Sequence, residues 1–354
     1  MRKKWLFILT MVMLISVLVL SACGGNQSNN TAPTTDGGDK PKEEVKPTDD
    51  GKTYLFKAGH SLTEDHPYQL ALVQFAKAVE DRTNGKVKFE IYPLSQLGAE
   101  RELTEALTLG TADMSISSTG PISNFYPQMG VVDLPFLFES REQAYKVLDG
   151  EVGQELLKGL ESVGIVGLAW AENGFRHITN SKRPIQTPAD LKDLKIRTME
   201  NPVHMAAFEA LGAKPTPMAW TEALTALQQG VVDAQENPAI VADKYKLYEA
   251  NQKFMTLTGH VYSPAIMMFS KAVFDTLPNE YQQIIREEAK KAGDYERELI
   301  AKMEQDSLNV LKEKGVQIIE NVDKKPFRDA IKPVYEKYGK QFGEDLIDKI
   351  INTK

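Results

Sequence analysis

The stretch TEALTLGTAD, residues 104–113, joins a helical segment to a strand through one glycine, and TEALTALQQGVVD, residues 221–233, repeats that order. A glycine can adopt the left-handed conformation that ends a helix, and Val231 and Val232 suit a buried strand. Such a turn recurs in α/β proteins of every kind, so one copy predicts only alternating helices and strands. Two copies in one chain favour the sharper hypothesis of two similar lobes.

The chain before and within the first copy follows the same rhythm. Short β-rich runs at residues 54–58, 87–92 and 113–117 alternate with helical patterns at about 67–83 and 99–109. Strands that alternate with helices in this way are typical of an α/β sheet. The sequence therefore predicts an α/β fold.

An apolar stripe of unusual length begins just after Pro278 and continues to Gly315. Its residues recur mostly at three- and four-residue steps, as on one face of a helix. They are Tyr281, Ile284, Ile285, Ala289, Ala292, Tyr295, Leu299, Met303, Val310 and Leu311. A helix of this length would extend about 50 Å at 1.5 Å per residue, longer than one small lobe is wide. We expect it to lie across both lobes, with its tyrosines used for packing.

The amino terminus has the pattern of a bacterial lipoprotein signal. Basic residues 2–4 precede an apolar run over residues 5–20, and Ser21 and Ala22 lead into Cys23. The run is shorter than the roughly 20 residues of a membrane-spanning helix. Residues 1–22 are therefore predicted to be a signal peptide, with Cys23 as the lipid-modified first residue of the mature protein. An uncleaved membrane anchor is the alternative, and either one places the rest of the chain outside the cytoplasm.

A polar segment separates Cys23 from the folded body. Residues 24–52 contain only Ala32 and Val45 from the hydrophobic set, too little to bury a core. We expect residues 23–52 to be a lipidated, disordered tether. The body from residue 53 to residue 354 is about twice the usual length of one domain, which favours two lobes.

The charge of the chain limits its partners. The formal net charge of −7 argues against nonspecific binding to nucleic acid, so no nucleic-acid partner is predicted. An anionic ligand would have to be met by a local cluster of cations. The only cysteine is Cys23, which leaves the body without a disulfide or a thiolate metal site.

Enzyme signatures do not occur in the sequence. It has no nucleophile elbow, no zinc-protease motif, no Walker loop and no dinucleotide-binding glycine run. The histidines lack the spacing that puts two imidazoles on one helix face. They are His60, His66, His177, His204 and His260. No catalytic residue, metal site or cofactor is predicted.

Several short motifs follow one another along the body. They are YPLSQLG at 92–98, LPF at 134–136, NGFRH at 173–177, KIRT at 195–198, LGAKPTPM at 211–218, GVVD at 230–233 and ENP at 236–238. In this order they resemble the solute-binding subunits of TRAP transporters, the DctP-type family, over essentially the whole body. The resemblance implies a two-lobed, periplasmic-binding-protein-like fold of type II, with a hinge and a long helix spanning both lobes. It places lobe I at 53–173 with part of 263–305, and lobe II at 174–262 with part of 306–354.

The resemblance also implies three ligand contacts. In the family, the arginine of the KIR segment grips the substrate carboxylate, and Arg197 occupies that position. Arg176 matches a second cleft arginine, and Asn237 matches an amide that helps to close on the ligand. A guanidinium presents paired donors in one plane that fit a carboxylate, which agrees with this role for Arg197. Both arginines are expected to face an open, wet cleft, and a surface ion pair is the alternative for each.

Five further positions fall where relatives line the pocket: His60, Glu100, Ser118, Glu200 and Trp220. Structural roles are the alternatives. Glu100 and Glu200 would then be solvated acids at helix starts, Trp220 would pack in the core, and His60 would be a polar group at a strand end. An ionised carboxylate accepts hydrogen bonds from hydroxyls and repels a second substrate carboxylate. A sugar acid or uronate is therefore a strong alternative to a C4-dicarboxylate as the expected ligand.

The resulting hypothesis is a receptor anchored by lipid to the extracytoplasmic face of the cell membrane. It would close its lobes over a small organic anion and deliver it to a permease built from a small and a large integral membrane subunit. Two alternatives remain open at this point. One is the substrate-binding lipoprotein of an ABC importer, and the other is a secreted lyase or hydrolase acting on sugar acids.

Overall fold

The computed structural model describes residues 51–353. The predicted signal peptide and Cys23 lie outside this range, as does the predicted tether except for its last two residues. Among the described residues, no helix is long and apolar enough to cross a membrane.

The described chain alternates strands with helices. The strands are β1 Tyr54–Gly59, β2 Val87–Tyr92, β3 Met114–Ser118, β4 Ile165–Asn180, β5 Lys195–Thr198, β6 Lys214–Pro217, β7 Ala234–Asn237, β8 Phe254–Ser270 and β9 Gln317–Ile319. The helices are α1 Pro67–Arg82, α2 Glu100–Leu109, α3 Thr119–Ile122, α4 Arg141–Asp149, α5 Glu151–Gly159, α6 Pro202–Ala210, α7 Trp220–Gln228, α8 Ala239–Lys244, α9 Lys271–Phe274, α10 Asn279–Glu313, α11 Lys325–Ala330, α12 Lys332–Phe342 and α13 Glu344–Ile351. The predicted α/β class is confirmed.

The strands form one mixed sheet in the order β2-β1-β3-β8-β4-β7-β5-β6, with β9 added to β8. β1 pairs in parallel with β2 and β3, and β5 pairs in parallel with β6 and β7. The two parallel groups are connected through β8 and β4, which are antiparallel to each other and to their outer neighbours β3 and β7. The sheet thus has a first half, β1–β3, and a second half, β5–β7, on either side of a long central pair.

The central pair is buried along most of its length and is irregular. β4 and β8 pair from Ile165 opposite Ser270 to Asn180 opposite Phe254, and their register shifts near residues 168, 173 and 177. β-Bulges of this kind bend a strand and redirect its side chains. Gly174 lies in the second irregularity with a φ of 124°, where an added Cβ would approach Pro238 to 3.1 Å. The predicted lobe boundaries at 173/174 and 262/263 fall inside these two strands, the one at 305/306 falls inside α10, and all three stay predictions.

The two copies of the helix, glycine and strand unit fold alike. Gly110 and Gly230 have φ values of 71° and 70°, and each ends a helical turn. The following amide groups still bond back to the helix, since the N–H groups of Val231 and Val232 both reach the Ala226 carbonyl. The prediction that these valines begin a strand was therefore wrong. Val231 is 54 % exposed, and β7 begins only at Ala234, where pairing with β5 starts.

Two hydrophobic cores cover the two faces of the sheet. Alternate residues of β8 supply them, with Ala265, Met267 and Phe269 in one core and Ile266 and Met268 in the other. The first core includes residues of α1, α7 and α10, and the second includes residues of α4, α6 and α12. The first core combines β1–β3 with α7 and α8, and the second combines β5 and β7 with α2 and α3, so each core takes side chains from chain segments of both halves.

The predicted long helix is α10, a single helix of 35 residues. It packs against α1, α8 and β4, so it contacts elements that precede and follow β4 in the chain. At Gly293 an added Cβ would lie 2.3 Å from the Trp170 carbonyl oxygen, which explains the glycine at this contact. Tyr281 and Tyr295 pack on the first core as expected, although the middle of the helix also buries Glu296 and Arg297.

Candidate functional site

A cavity lies where the carboxyl ends of β3, β5 and β7 meet the irregular middle of β4. In open α/β sheets this edge is where ligands bind. The cavity is narrow, with room for the centre of a water molecule over only about 20 Å³. It is lined by Ser61, Leu62, Glu100, Ser118, Asn173, Arg176, Arg197, Met199, Trp220, Asn237 and Val241. The cavity thus brings together every predicted ligand residue except His60 and Glu200.

Arg197, on β5, is held along one edge of its guanidinium. Its Nε and Nη2 donate to the Met218 carbonyl at 3.0 and 2.8 Å, and its Cζ lies 5.3 Å from the centre of the Trp220 ring. The remaining N–H groups, two on Nη1 and one on Nη2, have no partner within residues 51–353. These donors share one plane, the arrangement that binds a carboxylate through two parallel hydrogen bonds.

The charge of Arg197 is buried without a carboxylate partner among the described residues. The side chain is only 4 % exposed, and burial lowers the pKa of Arg197 to about 10. The group therefore remains charged at neutral pH. A buried cation without an ion-pair partner is costly, and an anionic ligand would remove that cost. Arg197 is consequently the cavity group whose charge is least compensated by the described residues.

Arg176, on β4, has a different environment. Its Nε and Nη2 donate to the two carboxylate oxygens of Glu236 at 2.5 and 2.8 Å, and its Nη1 donates to Asn173 Oδ1 at 2.9 Å. A second Nη2 contact reaches the Glu236 carbonyl, so one Nη1 N–H remains for a ligand. Arg176 is 1 % exposed, and with the burial of Arg197 this contradicts the expectation that both arginines face an open, wet cleft. It lines the cavity and also forms a buried ion pair.

The carboxylate of Glu236 is firmly ionised in this pair. Burial alone would raise its pKa, but the adjacent Arg176 guanidinium and the hydrogen bond with His260 hold the pKa of Glu236 well below its usual range. The Arg176–Glu236 pair therefore contributes no net charge to the cavity.

Glu100 is the first residue of α2, a position that favours a carboxylate at a helix start. Its Oε1 accepts from the Ser118 N–H at 2.8 Å, and its Oε2 accepts from Ser118 Oγ at 2.7 Å. Burial raises the pKa of Glu100. Each oxygen keeps a lone pair that could accept a hydrogen bond from a ligand hydroxyl.

Asn237 ends β7 and is oriented by a chain of amides. Its Nδ2 donates to Gln235 Oε1 at 2.6 Å, and Gln235 Nε2 donates to Thr179 Oγ1 at 2.7 Å. Thr179 Oγ1 donates in turn to Gln252 Oε1 at 2.9 Å. This chain fixes the amide of Asn237 at the cavity wall, with its Oδ1 available as an acceptor.

The structure places His60 and Glu200 outside the cavity lining. His60 is 1 % exposed, its Nε2 contacts Gln69 Oε1 at 2.7 Å and its Nδ1 accepts from the Leu62 N–H at 3.2 Å. It therefore supports the turn that carries Ser61 and Leu62 into the cavity. Glu200 accepts from Arg101 Nη1 at 3.2 Å and lines an outer recess.

Several residues of the site escaped the sequence analysis. Asn173 lines the cavity, and Glu236 pairs with Arg176 behind it. Both stand inside quoted motifs, NGFRH and ENP, and a buried arginine gives a reason to seek an acid for it. Four others carry no sequence signal of their own and are placed by the fold: Ser61, Leu62, Met199 and Val241.

The sequence model of the bacterial extracellular solute-binding protein family 7, DctP, matches residues 58–341. The chain belongs to this family. DctP proteins are solute receptors of TRAP transporters and not enzymes, so the predicted family and the predicted absence of catalysis are confirmed. The ABC importer and lyase alternatives are thereby set aside.

Relatives support the same assignment. The 2,3-diketo-L-gulonate-binding periplasmic protein YiaO of Escherichia coli is 40 % identical over 273 residues, 77 % of this chain and 83 % of YiaO. A TRAP periplasmic solute-binding protein of Polaromonas sp. JS666, solved with D-erythronate, is 44 % identical with a TM-score of 0.83 and covers 85 % of this chain and 99 % of its own. A Sulfitobacter protein solved with β-D-galacturonate is 34 % identical with a TM-score of 0.81, covering 84 % and 99 %. The similarity to these DctP structures confirms the two-lobed fold.

Proposed function

We infer that this DctP protein binds a hydroxylated monocarboxylate, such as a sugar acid, and delivers it to a TRAP permease with a small and a large membrane subunit. The observation that carries this inference is the unpaired edge of the Arg197 guanidinium. A ligand carboxylate on that edge would receive two charge-assisted hydrogen bonds in a water-poor cavity. Asn237 and the remaining N–H of Arg176 would complete the carboxylate end.

The charges of the cavity favour a monocarboxylate over a C4-dicarboxylate. Arg176 is neutralised by Glu236, which leaves Arg197 as one uncompensated cation opposite the carboxylate of Glu100. A second ligand carboxylate near Glu100 would be repelled, whereas a hydroxyl would be accepted. D-erythronate and β-D-galacturonate, bound by two relatives, each have one carboxylate and several hydroxyls.

A thermal-shift panel followed by titration calorimetry tests this proposal. D-erythronate, D-galacturonate and 2,3-diketo-L-gulonate represent hydroxylated acids, and succinate and L-malate represent C4-dicarboxylates. A ligand at 100 times its dissociation constant adds about 2.7 kcal/mol to the free energy of unfolding. We expect the largest shifts among the hydroxylated monocarboxylates. Tighter binding of succinate would contradict the assigned ligand class.

The membrane anchor is a further part of the proposal. The basic start, the apolar run and Cys23 support a lipid-modified receptor, palmitoylated or otherwise acylated at that residue. Cys23→Ser should release the protein from the membrane fraction with its ligand binding intact. A variant that remains in the membrane pellet after salt and carbonate washes would contradict lipidation at Cys23.

A further inference from the structure

The two halves of the sheet also touch at the rim of the cavity. Lys244 Nζ lies 2.7 Å from Asp65 Oδ2, and Tyr245 Oη donates to the Ser61 carbonyl at 2.7 Å. Ser61 and Asp65 follow β1 in the first half, whereas Lys244 and Tyr245 end α8 after β7 in the second half. Because β8 and β4 separate β1 from β7 in the sheet, both contacts cross from one half to the other. These four residues form the rim clasp.

Tyr245 also contacts Trp220, a residue that lines the cavity. Its ring meets the Trp220 ring edge-on, with centroids 5.1 Å apart and planes at 86°. Trp220 in turn carries the Arg197 guanidinium on its face. Tyr245 does not itself line the cavity, but its hydrogen-bond partner Ser61 does. The clasp therefore connects the anion-binding arginine in the second half to a cavity residue in the first half.

The two contacts of the clasp differ in expected strength. The Lys244–Asp65 pair is exposed on its Asp65 side, where the side chain is 62 % exposed, and ion pairs that water reaches contribute little. The Tyr245 hydroxyl is part-buried and donates to a backbone carbonyl that is fixed by the fold. Its hydrogen bond should be the stronger contact.

We propose that the rim clasp forms when the halves close over a ligand and slows the departure of that ligand, with Tyr245 as the positioning residue. This proposal rests on the proposed function. A contact made only in the closed state shifts the equilibrium toward closure without touching the ligand. It should therefore act mainly on the dissociation rate.

Stopped-flow measurements with D-erythronate as the probe test the clasp, because Tyr245→Phe removes only the hydroxyl. We expect dissociation to become about 3- to 10-fold faster, with an association rate within about twofold of wild type. The melting temperature of the free protein should stay unchanged. Lys244→Met should accelerate dissociation only about twofold, and this effect should disappear at high salt.

Tyr248→Phe is the matched control, since Tyr248 is a part-buried tyrosine three residues away whose hydroxyl has no hydrogen bond within residues 51–353. It should leave both rates unchanged. Equal dissociation rates in wild type and Tyr245→Phe would overturn the clasp. A lower melting temperature of free Tyr245→Phe would also overturn it, because that result indicates an ordinary structural bond.

Failure of the proposed function gives a different result. If wild type binds neither D-erythronate nor the other acids of the panel, the proposed ligand class is wrong. A measurement without ligand then tests whether the clasp stabilises the closed state. Spin labels at exposed Lys77 and Gln229, in a Cys23→Ser background, report the separation of the two halves. The free wild-type protein should close in a minor fraction of molecules, too small to affect its melting temperature, and Tyr245→Phe should reduce this population at short distance. Identical distance distributions would overturn the clasp without reference to any ligand.

Discussion

Arg176 and Arg197 line the same cavity and are almost equally buried, but their surroundings differ. Arg176 on β4 is held by both carboxylate oxygens of Glu236, whereas Arg197 on β5 is held by one backbone carbonyl and one aromatic face. The first guanidinium already has its anion and serves the structure of the cavity wall. The second has no carboxylate partner among residues 51–353 and is the arginine proposed to clamp the ligand. The comparison thus sets an arginine with a resident carboxylate against one whose outer donor edge is unpaired.

Breaking the Arg176–Glu236 pair should have the largest effect. Glu236→Gln would leave a buried guanidinium without a charge partner and should lower the free energy of unfolding by about 3–5 kcal/mol. Urea denaturation measures this loss. Glu209→Gln, at an exposed position of α6, is the control and should change stability by no more than about 0.5 kcal/mol. A Glu236→Gln variant as stable as this control would remove the structural role assigned to Arg176.

Paired lysine substitutions sharpen the comparison. Arg197→Lys keeps the charge but loses the planar donor pair, so affinity should fall by about 1.5–3 kcal/mol, or roughly 10- to 150-fold, with little change in the stability of the free protein. Arg176→Lys should instead lower the free energy of unfolding by a similar amount, about 1.5–3 kcal/mol. Calorimetry and urea denaturation on both variants separate the two roles. Near-native affinity in Arg197→Lys would show that Arg197 is not the carboxylate clamp.

Glu100 should set the preference for one carboxylate. Burial raises the pKa of Glu100, so lowering the pH through that pKa neutralises the group in the folded protein. Repulsion of a second ligand carboxylate should then weaken, and the affinity ratio of D-erythronate to succinate should fall as the pH falls. In Glu100→Gln only the titration of the ligands themselves should change this ratio with pH, and D-erythronate should bind about 3- to 10-fold more weakly. The same pH dependence in wild type and Glu100→Gln would exclude Glu100 as the discriminating group.

The smallest effect is expected at Trp220. Trp220→Leu removes the aromatic face under Arg197, and a cation–π contact contributes about 0.5–1 kcal/mol, or roughly two- to fivefold in affinity. In a double-mutant cycle with Arg197→Lys, the two losses should not be additive. Additive losses would mean that Trp220 acts only through the shape of the cavity.

Local features of this fold could be predicted from the sequence. The glycine stop at Gly110 and the 35-residue helix α10 depend on backbone conformation and apolar spacing, which neighbouring residues determine. The KIR segment identified Arg197 as a cavity residue. The partner of Arg176 could not be predicted, because Glu236 lies 60 residues away and meets it only through the antiparallel register of β4 and β7.

Side-chain burial was the second property that the sequence did not reveal. His60 stood at a strand end beside a turn that does enter the cavity, so its position was nearly right. Its ring nitrogens are occupied by Gln69 and the Leu62 amide, a result of packing that one residue's position cannot reveal. Similarly, the apolar stripe did not indicate that α10 also buries Glu296 and Arg297.

The continuous cores on both faces of the sheet have a consequence for how this receptor unfolds. Each core takes side chains from the first and the second half, so neither half has a complete interior of its own. The body should therefore melt as one cooperative unit, unlike a protein of two independent domains joined by a linker. A gene fragment that ends inside β4 should yield an unfolded, protease-sensitive chain. A bound ligand should accordingly stabilise the whole body against unfolding, including α13, which lies far along the sequence from the cavity.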